Sequence, residues 1–478
     1  MFGASAGSTR IDPRELGALA ALLTLAAWLL GRQLGSPSLE FDEGVYLLST
    51  DLLGRGLELG RDVFSSQPPL FLALLDGANH LANGSFAALR AVTVGIALAG
   101  ALAGWAIVRG IAGPFPALAA AALVVLAPGV VDAAAVVSAD VPCVALGTGA
   151  LLAARAARQR PVWAAVAGTL LACALLVKLL AVPFAVALAV AAIVDRPSRR
   201  ALGWFAVGTL AVLGAAALAY ASVLGELWRS AIGLHLEARE GTISLPRSSI
   251  VAEVAMIVTA YVGMLALLAV GLAHRPRSEL RTWARDRADL LTVLAAALLL
   301  VAFHRPLLHH HLVIVAWPLA LIAASTLPAR LPPRALVVTG ACALLVVPWA
   351  ARGRDTVEGA ESARLDRVAA AVEASTAPGE TVVSDLPLVP LFAERPAAPA
   401  TVDPSAVRVG TGSLGRDDIL AAADEAGAAV VGRSFELVPG LEAGLASRYA
   451  TVVDVGGVRI YAGPREPASP GGSRVPAS

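Results

Sequence analysis

Charge, cysteine and lysine are all scarce in this chain. Acidic and basic residues make up 15% of its 478 positions against 57% hydrophobic ones, with a mean hydropathy of +0.73. That balance excludes an ordinary soluble globule and points to a polytopic membrane protein. A net charge of +1 leaves no broad basic surface for a phosphate backbone, so nucleic-acid binding has no support. The three cysteines, Cys143, Cys173 and Cys342, lie in apolar runs without CxxC or metal-ligand spacing, and no disulfide framework is implied. No solenoid-type repeat is visible. No small-residue cleavage site follows the first Leu/Ala run, so that run, preceded by Arg10 and Arg14, reads as an uncleaved span and not as a signal peptide.

What the chain has in quantity is apolar runs near bilayer length. They cover residues 16–30, 86–108, 115–131, 141–154, 162–177, 179–194, 201–224, 250–273, 290–303, 312–327 and 335–350, which predicts about eleven transmembrane helices. Alternate loops carry the arginines: Arg109; Arg155, Arg158 and Arg160; Arg196, Arg199 and Arg200; Arg275, Arg277, Arg281, Arg285 and Arg287; Arg330 and Arg334. Cytoplasmic loops carry the basic excess, so the N-terminus is expected inside. Asp42, Glu43, Asp140, Lys178, the loop 226–249 and His309-His310-His311 then share the outer face. Beyond Ala350 the pattern changes to short apolar runs alternating with charged helical pieces. Helices are expected over 363–375 and 417–425, strands over 381–384 and 428–431, and a hairpin of 451–455 with 458–461 around Gly456-Gly457. The expected organisation is therefore a transmembrane domain, 1–350, a small extracytoplasmic α/β domain, 351–463, and a Pro/Gly/Ser-rich tail, 464–478, with the composition of a disordered segment.

The polar residues that break this apolar background are the candidates for chemistry. Asp42 and Glu43 precede a stretch, 45–53, whose spacing predicts a helix lying in the outer interface with Val45, Leu48 and Leu52 on one face. Carboxylates near a membrane suggest a functional site, while a capping role at the helix start is the competing reading. Asp140, in SADVP, admits the same two readings, and the shared face favours a division of labour between the acids as base and as metal or substrate ligand. Lys178, the single lysine, interrupts an apolar stretch and is either a snorkelling anchor or a point-charge contact to a phosphate; Arg90 and Arg305 admit the same choice. His304, His309, His310 and His311 offer imidazole ligands for a divalent metal, although adjacent histidines diverge along a helix and at most two would share an ion. A second outer interfacial helix is expected over 226–239, lining a lipid groove.

DEGVYLLSTDLL with QPPLF downstream, Arg90 opening the next span, SADVP, the break at Lys178, LWRSAIGLHLEAR and HHHLVIVAWPLALIAA together resemble the GT-C superfamily of membrane glycosyltransferases. That group includes protein O-mannosyltransferases and the aminoarabinose transferases of lipid A, and the resemblance spans most of residues 16–327. It implies a polyprenyl-phosphate-linked sugar donor in the bilayer, a hydroxyl-bearing envelope glycan, lipid or protein as acceptor on the extracytoplasmic side, and inversion at the anomeric carbon. Asp42 matches the first-loop acid that activates the acceptor and Glu43 its neighbour in the motif. Asp140 matches the second acid, and a divalent metal is an optional cofactor at the carboxylates. The chain departs from the family where a His-Tyr pair is common, having His310-His311-Leu312. Lys178, Arg90 and Arg305 would neutralise the phosphate leaving group. The rival readings are a transporter or flippase of lipid-linked sugars and a non-catalytic envelope scaffold. Charge at span ends and the lack of a duplicated half argue against the first, and the acidic cluster against the second.

Overall fold

The computed structural model describes residues 11–32, 34–35, 40–195, 199–240, 261–303, 309–328 and 357–464. The expected span at 335–350, His304, Arg305 and the tail from 465 lie outside the described residues. The chain gathers into two compact units, one of residues 1–36, 67–221 and 244–353, the other of 37–66, 222–243 and 354–478.

The first unit is helical. Its helices are α1 (Pro13–Gly31), α3 (Leu70–Ala82), α4 (Phe86–Ala112), α5 (Pro114–Leu126), α6 (Pro128–Ala134), α7 (Asp140–Ala156), α8 (Trp163–Val177), α9 (Val182–Asp195), α10 (Arg199–Ala219), α13 (Tyr261–Ala273), α14 (Arg277–Asp286), α15 (Ala288–Phe303) and α16 (Val313–Ala324). Among the described residues α1, α4 and α10 are each long and apolar enough to cross a membrane, and seven shorter apolar helices accompany them. The expected run 115–131 is split between α5 and α6, because Ala127 precedes Pro128 and takes an extended conformation, φ −61° and ψ 130°. Two elements escaped the sequence reading: the short apolar α3, and α14, which arranges the basic stretch after Ala273 as an amphipathic helix.

Small residues set the packing. A Cβ on Gly168 of α8 would collide with the Phe205 carbonyl, and one on Gly208 of α10 with that of Ala165, so these helices touch backbone to backbone. Two ion pairs tie other helices together: Arg109 of α4 with Glu15 of α1, at 2.8 Å, and Arg155 of α7 with Asp289 of α15, bidentate at 2.6 and 2.7 Å. Arginines that the sequence assigns to loops thus also serve as interhelical ties.

The second unit contains α2 (Phe41–Gly54) and a helical run of α11 (Leu224–Trp228), a π-turn (Arg229–Gly233) and α12 (Leu234–Glu240). The run matches the helix expected over 226–239. The rest is a four-stranded sheet, β1 (Val382–Ser384), β2 (Ala428–Val431), β3 (Tyr449–Val455) and β4 (Val458–Pro464), in the order β1-β2-β4-β3. β1 and β2 are parallel and the remaining pairings antiparallel. The β3–β4 turn is Gly456-Gly457, with φ of 61° and 82°, the hairpin signal read from the sequence. Helices Val357–Ser375, Arg416–Asp424 and Leu441–Arg448 accompany the sheet. Val383, Val431, Ile419, Phe435, Leu445 and Tyr461 are among the residues of its core.

α2 differs from its expectation in two respects. It begins at Phe41, so Asp42 and Glu43 lie inside its first turn and Glu40 takes the N-cap position. It is also not half-buried: every residue from Glu43 to Thr50 is buried, Glu43 completely, so the single apolar face read from the sequence is a face all round. Ser49 and Thr50 satisfy their hydroxyls within the helix, on the carbonyls of Val45 and Tyr46.

Candidate active site

The first unit brings four of the candidate residues together. α7 begins at Asp140, and the local sequence explains how its carboxylate is released from capping. Ser138 Oγ accepts the Asp140 amide at 3.1 Å and donates to Asp140 Oδ2 at 3.2 Å, so serine takes over the cap-like contact. Asp140 then faces Lys178. Lys178 stands in an extended break, φ −158° and ψ 136°, between α8 and the short 3-10 turn Leu179–Ala181, which leads into α9. Its Nζ lies 2.9 Å from Asp140 Oδ1 and donates to Oδ2 at 3.0 Å.

Both partners are buried, Asp140 at 2% and Lys178 at 5% exposure, so Lys178 is not a snorkelling anchor. Each charge offsets the desolvation of the other, which neither could bear alone. The break is pinned from a second side, since Cys143 Sγ, one turn into α7, donates to the Lys178 carbonyl at 3.6 Å. Ser138 and Cys143 were not singled out from the sequence; the signal for Ser138 is its place two residues before the acid in SADVP.

His310 and His311 join this cluster. They lie in the 3-10 turn His309–Leu312 that precedes α16, with ring centroids 4.5 Å apart and the rings edge to face. A nitrogen of each and an Asp140 oxygen all fall within 4.8 Å of one another. Two imidazoles and a carboxylate are the donor set of a catalytic zinc site, so these residues fit a divalent metal in kind. The Lys178 ammonium hydrogen-bonds Asp140 Oδ2, whereas the buried Oδ1, although 2.9 Å from Nζ, accepts no hydrogen bond among the described residues and is the oxygen that would face an ion. Arg90, buried in the first turns of α4, donates from Nη1 to the Leu34 carbonyl at 3.1 Å. Arg305 and His304 lie outside the described residues.

Asp42 and Glu43 belong to the second unit and occupy the first turn of α2, where the positive end of the helix dipole favours carboxylates. Phe41, immediately before them, carries the Arg433 guanidinium over its ring at 4.3 Å from the centroid. A Cβ on Gly44, two residues after Asp42, would fall 2.9 Å from Pro387 Cβ and 3.0 Å from Leu388 Cγ. The acidic pair is thus held in a helix seated directly on the 387–388 segment.

With this geometry in place, the chain can be set beside known proteins. Residues 66–224 match the family model described as dolichyl-phosphate-mannose-protein mannosyltransferase. No curated protein matches the sequence. Among solved structures, ArnT from Cupriavidus metallidurans bound to undecaprenyl phosphate is similar at 15% identity and a TM-score of 0.65, covering 94% of this chain and 99% of ArnT. The oligosaccharyltransferase AglB from Archaeoglobus fulgidus, in complex with an inhibitory peptide and a dolichol-phosphate, matches at 11% identity and a TM-score of 0.56, over 94% of this chain and 75% of AglB. A complex of the Archaeoglobus fulgidus oligosaccharyltransferase with zinc and sulfate matches at 13% and 0.50, over 86% and 67%. The family model, over about a third of the chain, and the likeness in fold along most of it agree with the resemblance read from the motifs.

Proposed function

We propose that this chain is an inverting glycosyltransferase that moves a sugar from a polyprenyl-phosphate donor to a hydroxyl of an envelope glycan, lipid or protein on the extracytoplasmic face. The observation that carries the reading is the likeness in fold, along almost the whole of both chains, to a protein that holds undecaprenyl phosphate. Asp42 takes the proton of the acceptor hydroxyl as its oxygen attacks the anomeric carbon. The bond from that carbon to the phosphate oxygen breaks, and the electron pair leaves with the lipid phosphate. The developing negative charge needs cations, which Lys178, Arg90 and Arg305 supply. Glu43 sustains the negative field at the first turn of α2, and Asp140 aims Lys178. A divalent ion on Asp140, His310 and His311 would add Lewis-acid stabilisation of the phosphate when bound.

In this reading the membrane part carries the chemistry through about eleven spans. The N-terminus is cytoplasmic and the α/β domain, 351–463, is extracytoplasmic. The test is to offer purified protein a panel of undecaprenyl-phosphate sugars, mannose and aminoarabinose among them, and to measure release of undecaprenyl phosphate and transfer to an acceptor. Movement of intact donor across a vesicle membrane without cleavage would replace the proposal with a flippase.

A further inference from the structure

We propose that the C-terminal domain is a positioning element for the first-loop acid: Asp385 fixes Arg433, and Arg433 stacked on Phe41 fixes the start of α2 and with it the Asp42 carboxylate. The inference rests on Asp42 being the base, as above.

The contacts form one chain within the second unit. Asp385 follows β1 and is completely buried. Its Oδ1 accepts the Gly432 amide at 2.9 Å, and its Oδ2 accepts those of Arg433 at 2.7 Å and Phe435 at 2.9 Å. Three amides within the four residues after β2, those of 432, 433 and 435, thus converge on one carboxylate, which sets the conformation of the turn that carries Arg433. The Arg433 guanidinium then lies over the Phe41 ring.

The segment just after Asp385 makes a second contact, since Pro387 and Leu388 stand where only a glycine fits at position 44. Asp42 lies between these two contacts, so the backbone that carries it is gripped on both sides by residues anchored at 385–388. A stack and a close approach that flank the proposed base, and not the far end of the helix, are what a positioning role requires. A displacement of about 1 Å at a reacting group can cost up to about a hundredfold in rate. The loop has another stack of the same kind at its far end, Arg408 over Phe64 at 3.9 Å, and this supplies an internal comparison.

The experiment is a double-mutant cycle in the full-length protein, with transfer from the undecaprenyl-phosphate sugar that the panel identifies. Arg433→Ala and Phe41→Leu are each expected to lower kcat about tenfold, with KM for the donor changed less than about twofold. The double variant is expected to be no slower than the slower single one, because both break the same contact. Phe41→Tyr, which keeps the ring face, is expected to restore kcat. The cycle of Arg433→Ala with Phe64→Leu is expected to multiply. Where Arg433→Ala folds poorly, Arg433→Lys keeps the charge, loses the planar stack and carries the same expectation.

Multiplying losses in the Arg433/Phe41 cycle would overturn the proposal, as would an unchanged kcat with only the thermal midpoint lowered. Asp42→Asn is measured in parallel. If it transfers at the full rate the base assignment fails, whereas an inactive Asp42→Asn beside fully active stack variants sinks the positioning role alone.

Discussion

Lys178 and Asp140 show how a single residue can be legible as important while its partner is not. A lone lysine interrupting an apolar run is visible in the sequence, but that its ammonium meets the Asp140 carboxylate is a fact of packing between α7 and the α8–α9 break. The pair leads to a prediction about stability and rate together. Lys178→Met strands a buried carboxylate and should destabilise by about 3–5 kcal/mol. The double variant Lys178→Met with Asp140→Leu removes both charges and should recover most of the thermal stability in detergent. It should not recover transfer, because the cation is gone. Recovery of both would make the pair structural only. Asp42 gives the complementary test. Asp42 lies inside the first turn, after the N-cap Glu40, so if the acid only favours the start of α2 through the helix dipole, Asp42→Asn should cost about 0.3–1 kcal/mol of stability and leave turnover unchanged. It should lose about 10²–10⁴ in transfer if it removes the acceptor proton. Asp76→Asn, outside the proposed site, is the control, and donor affinity should change far less than turnover.

Elements were legible in proportion to how far their own periodicity decides them. The hairpin at Gly456-Gly457, the helix ending at Ser375 and the break at Lys178 were all read from local pattern, because a turn glycine pair, amphipathic spacing and one charge in an apolar run are local signals. α2 departs from the expected single apolar face of Val45, Leu48 and Leu52 because tertiary packing buries Glu43, Ser49 and Thr50 as well, the two hydroxyls bonding back to the helix. The α5–α6 split is carried by Pro128, whose steric effect on Ala127 outweighs continuous hydropathy. The Arg433–Phe41 stack joins residues far apart in sequence, and no local pattern announces it. The C-terminal sheet carries its own prediction through Asp385. Burial pushes this carboxyl up to about 6, helped by the charge of Glu436, against the pull of the amides of Phe435, Arg433 and Gly432. The folded value lies above the unfolded one, so the stabilisation is complete below about pH 4 and is lost as pH rises through about 6, with an amplitude on the order of 3 kcal/mol. Hydrogen exchange of residues 428–435 in the full chain, corrected for intrinsic rate, should show protection falling over that window. Asp385→Asn should abolish the trend and, by leaving an amide donor unsatisfied, cost about 1–3 kcal/mol at neutral pH. Protection that rises with pH would contradict the assignment.

At the scale of the whole molecule the arginine pattern predicts an orientation and the structure gives connection. The first outer loop, the α11–α12 run and the C-terminal domain gather into one unit although they come from three separate parts of the chain. Each of these parts is assigned to the outer side by the alternation of arginine-rich loops, so the contacts within the unit are consistent with a single aqueous compartment for all three. The prediction is direct. Ser362 lies on the helix Val357–Ser375, half-buried and beside the charged Glu361 and Arg364. In a chain whose three native cysteines are replaced by alanine, Ser362→Cys should react with a membrane-impermeant maleimide in intact cells. A cysteine placed at Arg158, in a loop assigned to the inside, should react only after lysis. Labelling of position 362 only after lysis would put the C-terminal domain in the cytoplasm. The contacts that hold α2 to that domain would then require Asp42 to be cytoplasmic as well, and the acceptor would have to be sought on that side.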